Sequence, residues 1–157
     1  MAIQQNKYLS FVLENETYGI HILKVKEIIG MMPITHVPRM PDFVKGVINL
    51  RGKIIPVIDL RLKFSIPGSV YSDRTCIIVV EMDCENGKRI NGLVVDSVCE
   101  VLAIAEENIE APPTYGDGIE QEILTGIGKV KDKVIMLLDT DKVLTTNEIK
   151  AMSRIEG

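Results

Sequence analysis

GVINLRGKIIPVIDL, residues 46–60, consists of two β-branched apolar runs separated by Arg51, Gly52 and Lys53. Two such runs around a glycine-containing break predict a β-hairpin with Arg51 at its tip. Pro56 lies in the second run, and because proline cannot donate a ladder hydrogen bond it indicates an edge position or a bulge. The segment therefore predicts a β fold that presents a polar hairpin tip.

The same design returns 80 positions later in the chain. Four residues of the hairpin recur unchanged, since Gly46, Lys53, Ile55 and Asp59 are matched by Gly126, Lys133, Ile135 and Asp139. A second correspondence, at a spacing of 73, aligns Gly19, Val25 and Glu27 with Gly92, Val98 and Glu100. The chain is therefore an internal duplication, and the seven-residue difference in spacing falls in the connecting loops, where insertions are best tolerated.

Each repeat contains a hairpin, a crossover strand, a second hairpin and a closing turn, which is enough for a small five-stranded barrel. We predict a mainly β fold of two five-stranded SH3-like barrels packed together, with short helical turns and a C-terminal helix. The expected domain covers residues 7–144, with halves of roughly 7–68 and 69–144 between which strands can cross over. Residues 145–157 are expected to form the C-terminal helix or tail.

Composition excludes several classes of function. The 157 residues carry a net charge of −4 and show no Lys/Arg cluster, which argues against nucleic-acid binding. No apolar segment approaches the ~20 residues of a membrane helix, and the N-terminus lacks the pattern of a signal peptide. Three cysteines without a CxxC pairing fit a reducing compartment. We expect a cytoplasmic protein without direct membrane insertion.

Motifs for catalysis, metal binding or cofactors are missing from the sequence. His21 and His36 lack metal-ligand spacing, and no Gly-Lys pair is followed by the Ser or Thr of a phosphate-binding loop. Asp59 and Asp139 match across the repeat, but caps for the turns that follow them explain them better than catalysis does. We therefore predict no catalytic residue, no metal site and no cofactor, and hence a binding protein.

Arg51 is the best single candidate for an interface residue. A guanidinium on a rigid hairpin tip beside apolar edges is a typical interface anchor. Its repeat counterpart, Lys131, lies instead in a plain charged hairpin, KVKDK. If the barrel closes as proposed, Glu27 can pair with Arg51 or orient it.

At these residues the chain resembles the CheW family, the adaptors of bacterial chemotaxis. The matching pieces, which follow in order over nearly the whole length, are YGI (18–20), ILKVKEI (22–28), FVKGVINLRG (43–52), IPVIDLR (55–61), GLVVD (92–96) and LTGIG (124–128). The resemblance implies an adaptor that bridges the cytoplasmic helical hairpin of a chemoreceptor and the regulatory domain of the histidine kinase CheA, with weak self-association in arrays.

The resemblance also implies where these partners bind. The receptor-facing groove would be lined by Val25, Glu27, Ile28, Asn49, Arg51 and Gly52, with Val94 and Val98 in its opposite half. The kinase-facing surface is assigned to a proline-bounded loop that contains Met40, Pro41, Phe43 and Val44.

Two other interpretations remain open from the sequence. The same module also occurs within CheA and CheV, although this chain carries no ATPase motif and no receiver domain. A β-barrel that binds a small molecule or acts as an enzyme, with the ligand between the two halves, is the alternative of a different class. That alternative predicts a closed polar cavity, whereas an adaptor predicts an apolar groove open along an edge.

Overall fold

The protein is mainly β in a computed structural model that describes residues 6–66, 70–84, 87–112, 123–145 and 148–149. The strands within these ranges are β1 (Lys7–Leu13), β2 (Glu16–His21), β3 (Val25–Gly30), β4 (Val44–Leu50), β5 (Lys53–Asp59), β6 (Cys76–Cys84), β7 (Gly87–Val95), β8 (Ser97–Ala103), β9 (Ile109–Glu110), β10 (Leu124–Val130) and β11 (Lys133–Leu138). The helical elements are short: α1 (Leu60–Lys63) and the 3₁₀ turns Ile22–Lys24, Glu106–Asn108 and Thr140–Lys142. The predicted C-terminal helix falls mostly outside the described residues.

Two sheets contain all of these strands. One has six strands in the order β8-β1-β2-β11-β10-β9, and the other has five in the order β3-β6-β7-β5-β4. Most neighbours are antiparallel, but β11 pairs with β2, and β5 with β7, in parallel. The mainly β fold with two sheets is thereby confirmed. No helix in the described ranges is long and apolar enough to cross a membrane.

The repeat of 80 residues is visible in the hairpins. Gly46 pairs with Val57 and Gly126 pairs with Leu137, and each hairpin has its register shift just before that glycine. The two-residue turns at residues 51–52 and 131–132 are likewise equivalent. The central hairpin predicted from the sequence is thus confirmed, and its copy folds in the same register.

The repeats exchange strands between the sheets. Val57 of the first repeat lies beside Gly92 of the second, and Leu137 of the second lies beside Gly19 of the first. Hairpin β1–β2 is therefore in the sheet of β8–β11, whereas β6–β7 is in the sheet of β3–β5. Neither sheet corresponds to one repeat alone. The domain limits derived from the sequence stay a prediction.

Glycine is needed where these parallel contacts form. A Cβ atom placed on Gly92 would lie 2.7 Å from Ile77 Cγ2, closer than real Cβ contacts allow. At Gly19 the corresponding distances to side-chain carbons of Ile135 and Leu137 are 3.2 Å. The matched glycines of the two repeats therefore permit close approach of neighbouring side chains.

Three clusters of buried apolar side chains fill the described part of the molecule. One belongs to the five-stranded sheet and contains Ile48, Ile55, Val57, Ile77, Val79 and Val94. A smaller one belongs to the other sheet and contains Ile104, Ile135 and Leu137. The largest draws on both sheets and includes Phe11, Ile20, Ile58, Leu93 and Leu138. Each sheet thus has its own core, and a shared core joins the two, which is the arrangement expected of two packed barrels.

The predicted caps are confirmed. The Asp59 carboxylate accepts the N–H of Arg61 at the start of α1, and the Asp139 carboxylate accepts the N–H of Asp141 in the equivalent 3₁₀ turn. Both aspartates satisfy backbone donors that a helical turn leaves without partners.

Candidate functional site

The tip of hairpin β4–β5 is a two-residue turn. Arg51 and Gly52 have φ angles of +53° and +88°, the pattern of a type I′ turn, whose twist matches that of the flanking strands. Positive φ is unfavourable for arginine by about 1 kcal/mol. The Asn49 Oδ1 atom accepts the N–H of Gly52 at 2.9 Å and holds the turn closed. Asn49 therefore helps to fix the backbone from which the Arg51 side chain projects.

The Arg51 guanidinium forms an ion pair with the Glu27 carboxylate. Glu27 lies on β3, which is one edge of the five-stranded sheet, while Arg51 directly follows β4, which is the opposite edge. The ion pair therefore joins the two edges of the sheet, as closure into a barrel requires. The pairing that the sequence suggested for Glu27 and Arg51 is confirmed.

Exposed apolar residues are close in sequence to both members of this ion pair. Burial alternates along β3, so Val25 and Glu27 are half-buried while Ile28 is exposed. The exposed fraction is 45% for Ile28 and 51% for Ile54, which follows the hairpin turn by two residues. Ile28 lies on the edge strand β3, and an edge strand that shows an apolar side chain is a ready partner for another chain. Charged and apolar groups suitable for an interface thus lie within a few residues of one another.

Two residues assigned to the groove from the sequence lie elsewhere. Val94 has no exposed surface and belongs to the core of the five-stranded sheet, because β7 is a central strand with both faces covered. Its side chain cannot contact a partner, which corrects the sequence prediction for this residue. Val98 is half-buried on β8, in the other sheet, and packs against the shared core. The structure does not bring these two residues together with Arg51.

The loop assigned to the kinase-facing surface is anchored to the shared core. Met40 and Phe43 are half-buried against that core, and Val44 is only 4% exposed. The Lys63 ammonium lies 4.5 Å from the centre of the Phe43 ring, within the range of a cation–π contact. Pro41 is half-buried and accepts the N–H of Val44. Met40, Pro41 and Phe43 thus keep part of their surface accessible, whereas Val44 is structural.

The structure contains a buried charge network that was not predicted from the sequence. The side chains of Arg61 and Asp59 are 3% and 2% exposed, and the guanidinium bonds both Asp59 and, at 3.1 Å, Asp96. Tyr71 completes the network, since its hydroxyl donates to Asp59 and its ring lies 5.1 Å from the guanidinium carbon. Burial, reinforced by the Asp59 charge, raises the pKa of Tyr71 to about 12. One feature of the sequence could have predicted this network. Arg61 follows the capping Asp59 by two residues within the mainly apolar segment 54–66, where a charged side chain needs a partner.

Two concavities in the described part of the molecule have mainly apolar linings. One, of about 520 Å³, is an open groove lined by Met31, Met32, Pro33, Ile34, Lys45 and Tyr71. The other, of about 260 Å³, lies between elements of both repeats and is lined by Tyr18, Phe64, Ile66, Leu124, Met136 and Leu138. Neither resembles the polar cavity that the small-molecule alternative predicts. Among the described residues no group of three His, Cys, Asp or Glu could hold a metal ion.

Comparison with known proteins agrees with this architecture. The profile of the CheW-like domain matches residues 7–148. The chain belongs to the CheW-like family. The chemotaxis protein CheW of Klebsiella aerogenes is 41% identical over 149 residues, which cover 95% of this chain and 87% of that protein. CheW of Treponema pallidum is 29% identical over 99% of this chain and 92% of its own length.

A solved structure extends the agreement to three dimensions. The crystal structure of the scaffolding protein TtCheW from Thermoanaerobacter tengcongensis superposes with a TM-score of 0.81 at 39% identity, covering 91% of this chain and 94% of that one. The resemblance to CheW that the motifs indicated is thereby confirmed, and with it a place among proteins of chemotaxis and signal transduction.

Proposed function

We propose that this CheW-like chain couples the cytoplasmic tips of methyl-accepting chemoreceptors to the regulatory domain of the histidine kinase CheA in signalling arrays. It would act as an adaptor without enzymatic activity, in the cytoplasm, recruited to receptors in the membrane. The observation that carries the proposal is the Arg51–Glu27 ion pair, together with the exposed Ile28 that follows Glu27 in the edge strand β3. Family membership supplies the kind of partner.

The receptor would be bound by a helix lying along an apolar surface. Ile28 and Ile54 offer exposed β-branched side chains, and Val25 adds a half-buried one at the start of β3. The Arg51 side chain is 69% exposed despite its ion pair, so its remaining N–H groups are available to a carboxylate or carbonyl of the helix. Apolar contact would supply affinity, and Arg51 would fix the register of the helix.

The kinase domain would contact a different surface, around Met40, Pro41 and Phe43. This loop precedes β4 and therefore approaches the sheet from the end opposite to the Arg51 turn. Because the two surfaces are at opposite ends of one strand, receptor and kinase could bind together. That is the geometric requirement for an adaptor.

Weak contacts suffice for such a role. An interface of about 1,000 Å², at the small end for specific complexes, would give affinity on the micromolar scale. In an array, linked neighbours raise the effective concentration of each partner, so many weak contacts hold firmly together. Weak self-association of this chain would add to the same effect.

The proposal is tested by calorimetric titration of the protein with a receptor-tip helical hairpin and, separately, with the CheA regulatory domain. Arg51→Glu is compared with wild type, and Lys131→Glu serves as the matched control. Lys131 occupies the equivalent turn of the second repeat, is exposed and has a similar φ of +56°. Both substitutions therefore reverse one charge in the same local geometry, and circular dichroism verifies the fold of each.

We expect wild type to bind both partners and Arg51→Glu to lose the receptor hairpin alone, with Lys131→Glu like wild type for the hairpin. Loss of both partners by a folded Arg51→Glu variant would show that the two surfaces overlap. Binding of neither partner by wild type would refute the coupling function.

A further inference from the structure

Two ion-pair clusters occupy equivalent places in the two repeats. Arg61 stands two residues after the capping Asp59, and Asp141 stands two residues after the capping Asp139. Asp96, the partner of Arg61, also accepts the N–H of Glu14 in the β1–β2 turn at 2.5 Å. The repeat thus places one charged residue after each second hairpin. Asp141 bonds β6 of the other sheet directly, whereas Arg61 reaches the β1–β2 turn only through Asp96.

The second cluster has its charges reversed. Here the carboxylate of Asp141 is the acceptor. It accepts the backbone N–H of Asp83 at 2.8 Å. Its two oxygens also accept from the Lys24 ammonium, at 3.1 and 3.0 Å. Lys24 also bonds the Asp83 carboxylate at 2.9 Å. One ammonium therefore bridges two carboxylates that come from different elements. Burial by itself would lower the pKa of Lys24, but its hydrogen bonds to Asp83 and Asp141 and their charges together outweigh that effect, so the pKa is raised.

Exposure separates the two clusters. In the first cluster the side chains of Arg61 and Asp59 are 3% and 2% exposed, and Asp96 is 24% exposed. In the second cluster the cation itself reaches solvent, since Lys24, Asp141 and Asp83 are 28%, 25% and 56% exposed. An ion pair that reaches solvent is weakened by salt, while a buried one is screened much less. The ion pairs of Lys24 are therefore the ones that high salt should weaken more.

Lys24 lies at a structurally sensitive point. It is the last residue of the 3₁₀ turn Ile22–Lys24, and β3 begins at the next residue. Asp83 lies on β6, the neighbour of β3, whereas Asp141 follows β11 of the other sheet. The β3–β6 register shifts between Val25 and Glu27, immediately after Lys24. This bulge interrupts the hydrogen bonds between β3 and β6. Ion pairs that fix Lys24 just before the bulge therefore help to specify the register of the β3 residues that follow it.

We propose that Lys24 is a positioning residue for β3, and that its ion pairs with Asp83 and Asp141 hold Glu27 against Arg51. The inference rests on the proposed function, because the surface that Lys24 positions is the candidate receptor surface. The anchor ties β3 to both sheets at once. Displacement of one sheet against the other, or high salt, would therefore loosen the receptor surface while the buried Arg61 cluster stays intact.

The test uses Lys24→Met, with Lys24→Arg as the conservative rescue and Lys26→Met as the matched control. Lys26 lies on β3 itself and pairs with Glu81 at 3.5 Å, but this pair is within one sheet and the Lys26 side chain is 50% exposed. Hydrogen exchange of the β3 amides is measured for each variant, together with affinity for the receptor-tip hairpin and for the CheA regulatory domain. Each affinity is measured at low and at high salt.

We expect faster exchange in β3 and a loss of hairpin affinity of about three- to tenfold in Lys24→Met, the size of one partly buried ion pair. Kinase-domain affinity should be unchanged, and Lys24→Arg and Lys26→Met should resemble wild type. Salt should weaken hairpin binding more in wild type than in Lys24→Met, which has already lost the anchor.

Unchanged β3 exchange in Lys24→Met would overturn the anchor, and faster exchange with unaltered hairpin affinity would overturn the link to the receptor surface. If wild type does not bind the hairpin, the proposed function fails, and the exchange of the β3 amides still decides whether Lys24 anchors the strand. Should Lys24→Met not fold, Asp83→Asn removes one exposed partner and retains the other, and the same exchange criterion applies.

Discussion

The Arg61 guanidinium lies 3.1 Å from the Asp96 carboxylate, and this contact connects the helical turn after β5 to the end of β7. Asp96 extends the contact to the other sheet by accepting the N–H of Glu14 and donating its own N–H to the carbonyl of Val12. The strand exchange between the repeats is thus reinforced by a buried charge, and the candidate receptor surface is built on a sheet that this charge helps to hold.

Replacement of Arg61 by Met should lower the free energy of unfolding by about 3–5 kcal/mol, because Asp59 would remain buried without a cation. Urea unfolding at neutral pH measures the loss. Lys131→Met, at an exposed turn, should change stability by no more than about 0.5 kcal/mol. Equal losses for the two substitutions would show that the buried ion pairs of Arg61 stabilise the fold no more than an exposed lysine does.

Gly92→Ala should destabilise the protein by about 1–3 kcal/mol, since the new methyl group would meet Ile77 at 2.7 Å in a packed core. Gly30→Ala is the control, because a Cβ atom there has no neighbour within 4 Å. Thermal or urea unfolding of both variants provides the comparison. A neutral Gly92→Ala would mean that Ile77 can move aside without cost.

The Arg51–Glu27 pair should contribute little to stability, with a coupling energy of about 0.2–1 kcal/mol, because the Arg51 side chain is 69% exposed and that of Glu27 is 33% exposed. A double-mutant cycle with Arg51→Ala and Glu27→Ala measures the coupling from unfolding curves. At 1 M salt the Debye length falls to about 3 Å, so the coupling should nearly vanish. A large coupling that persists in salt would contradict an exposed pair and would imply a structural rather than a binding role for Arg51.

Tyr71 should make the protein lose stability in alkali. Its pKa is raised from 10 in the unfolded chain to about 12 in the folded protein, mainly by burial and then by the Asp59 charge. The folded state therefore favours the neutral phenol, and this stabilisation is complete below pH 10 and is lost as the pH rises towards 12.

Urea unfolding between pH 8 and pH 12, compared for wild type and Tyr71→Phe, isolates this contribution, because the phenylalanine cannot ionise. The loss of stability above pH 10 should be smaller in Tyr71→Phe. Ultraviolet absorbance of the phenolate reports the titration directly. If the free energy of unfolding fell equally with pH in the two proteins, the raised pKa of Tyr71 would be ruled out.

Local sequence determined the hairpins, the caps and the position of Arg51 in a hairpin turn. The register of β4–β5 follows from two apolar runs around a two-residue turn, and the repeat at 80 positions predicted its copy. Asp59 and Asp139 precede helical turns and need only their own backbone to be caps. These features involve neighbours in the chain, so the sequence contains all the information that they require.

Tertiary structure alone decided which sheet each hairpin joins and which side chains are covered. Val94 shows why the sequence could not predict exposure here. The last five residues of β7 are all buried, because both faces of this strand are covered. Their sequence therefore does not alternate between apolar and polar, and nothing in it indicates which face a side chain is on. Arg61 is a second example, since its burial depends on Asp96, 35 positions away. Pairing between distant strands fixes these environments, and no local pattern specifies the partner of a strand.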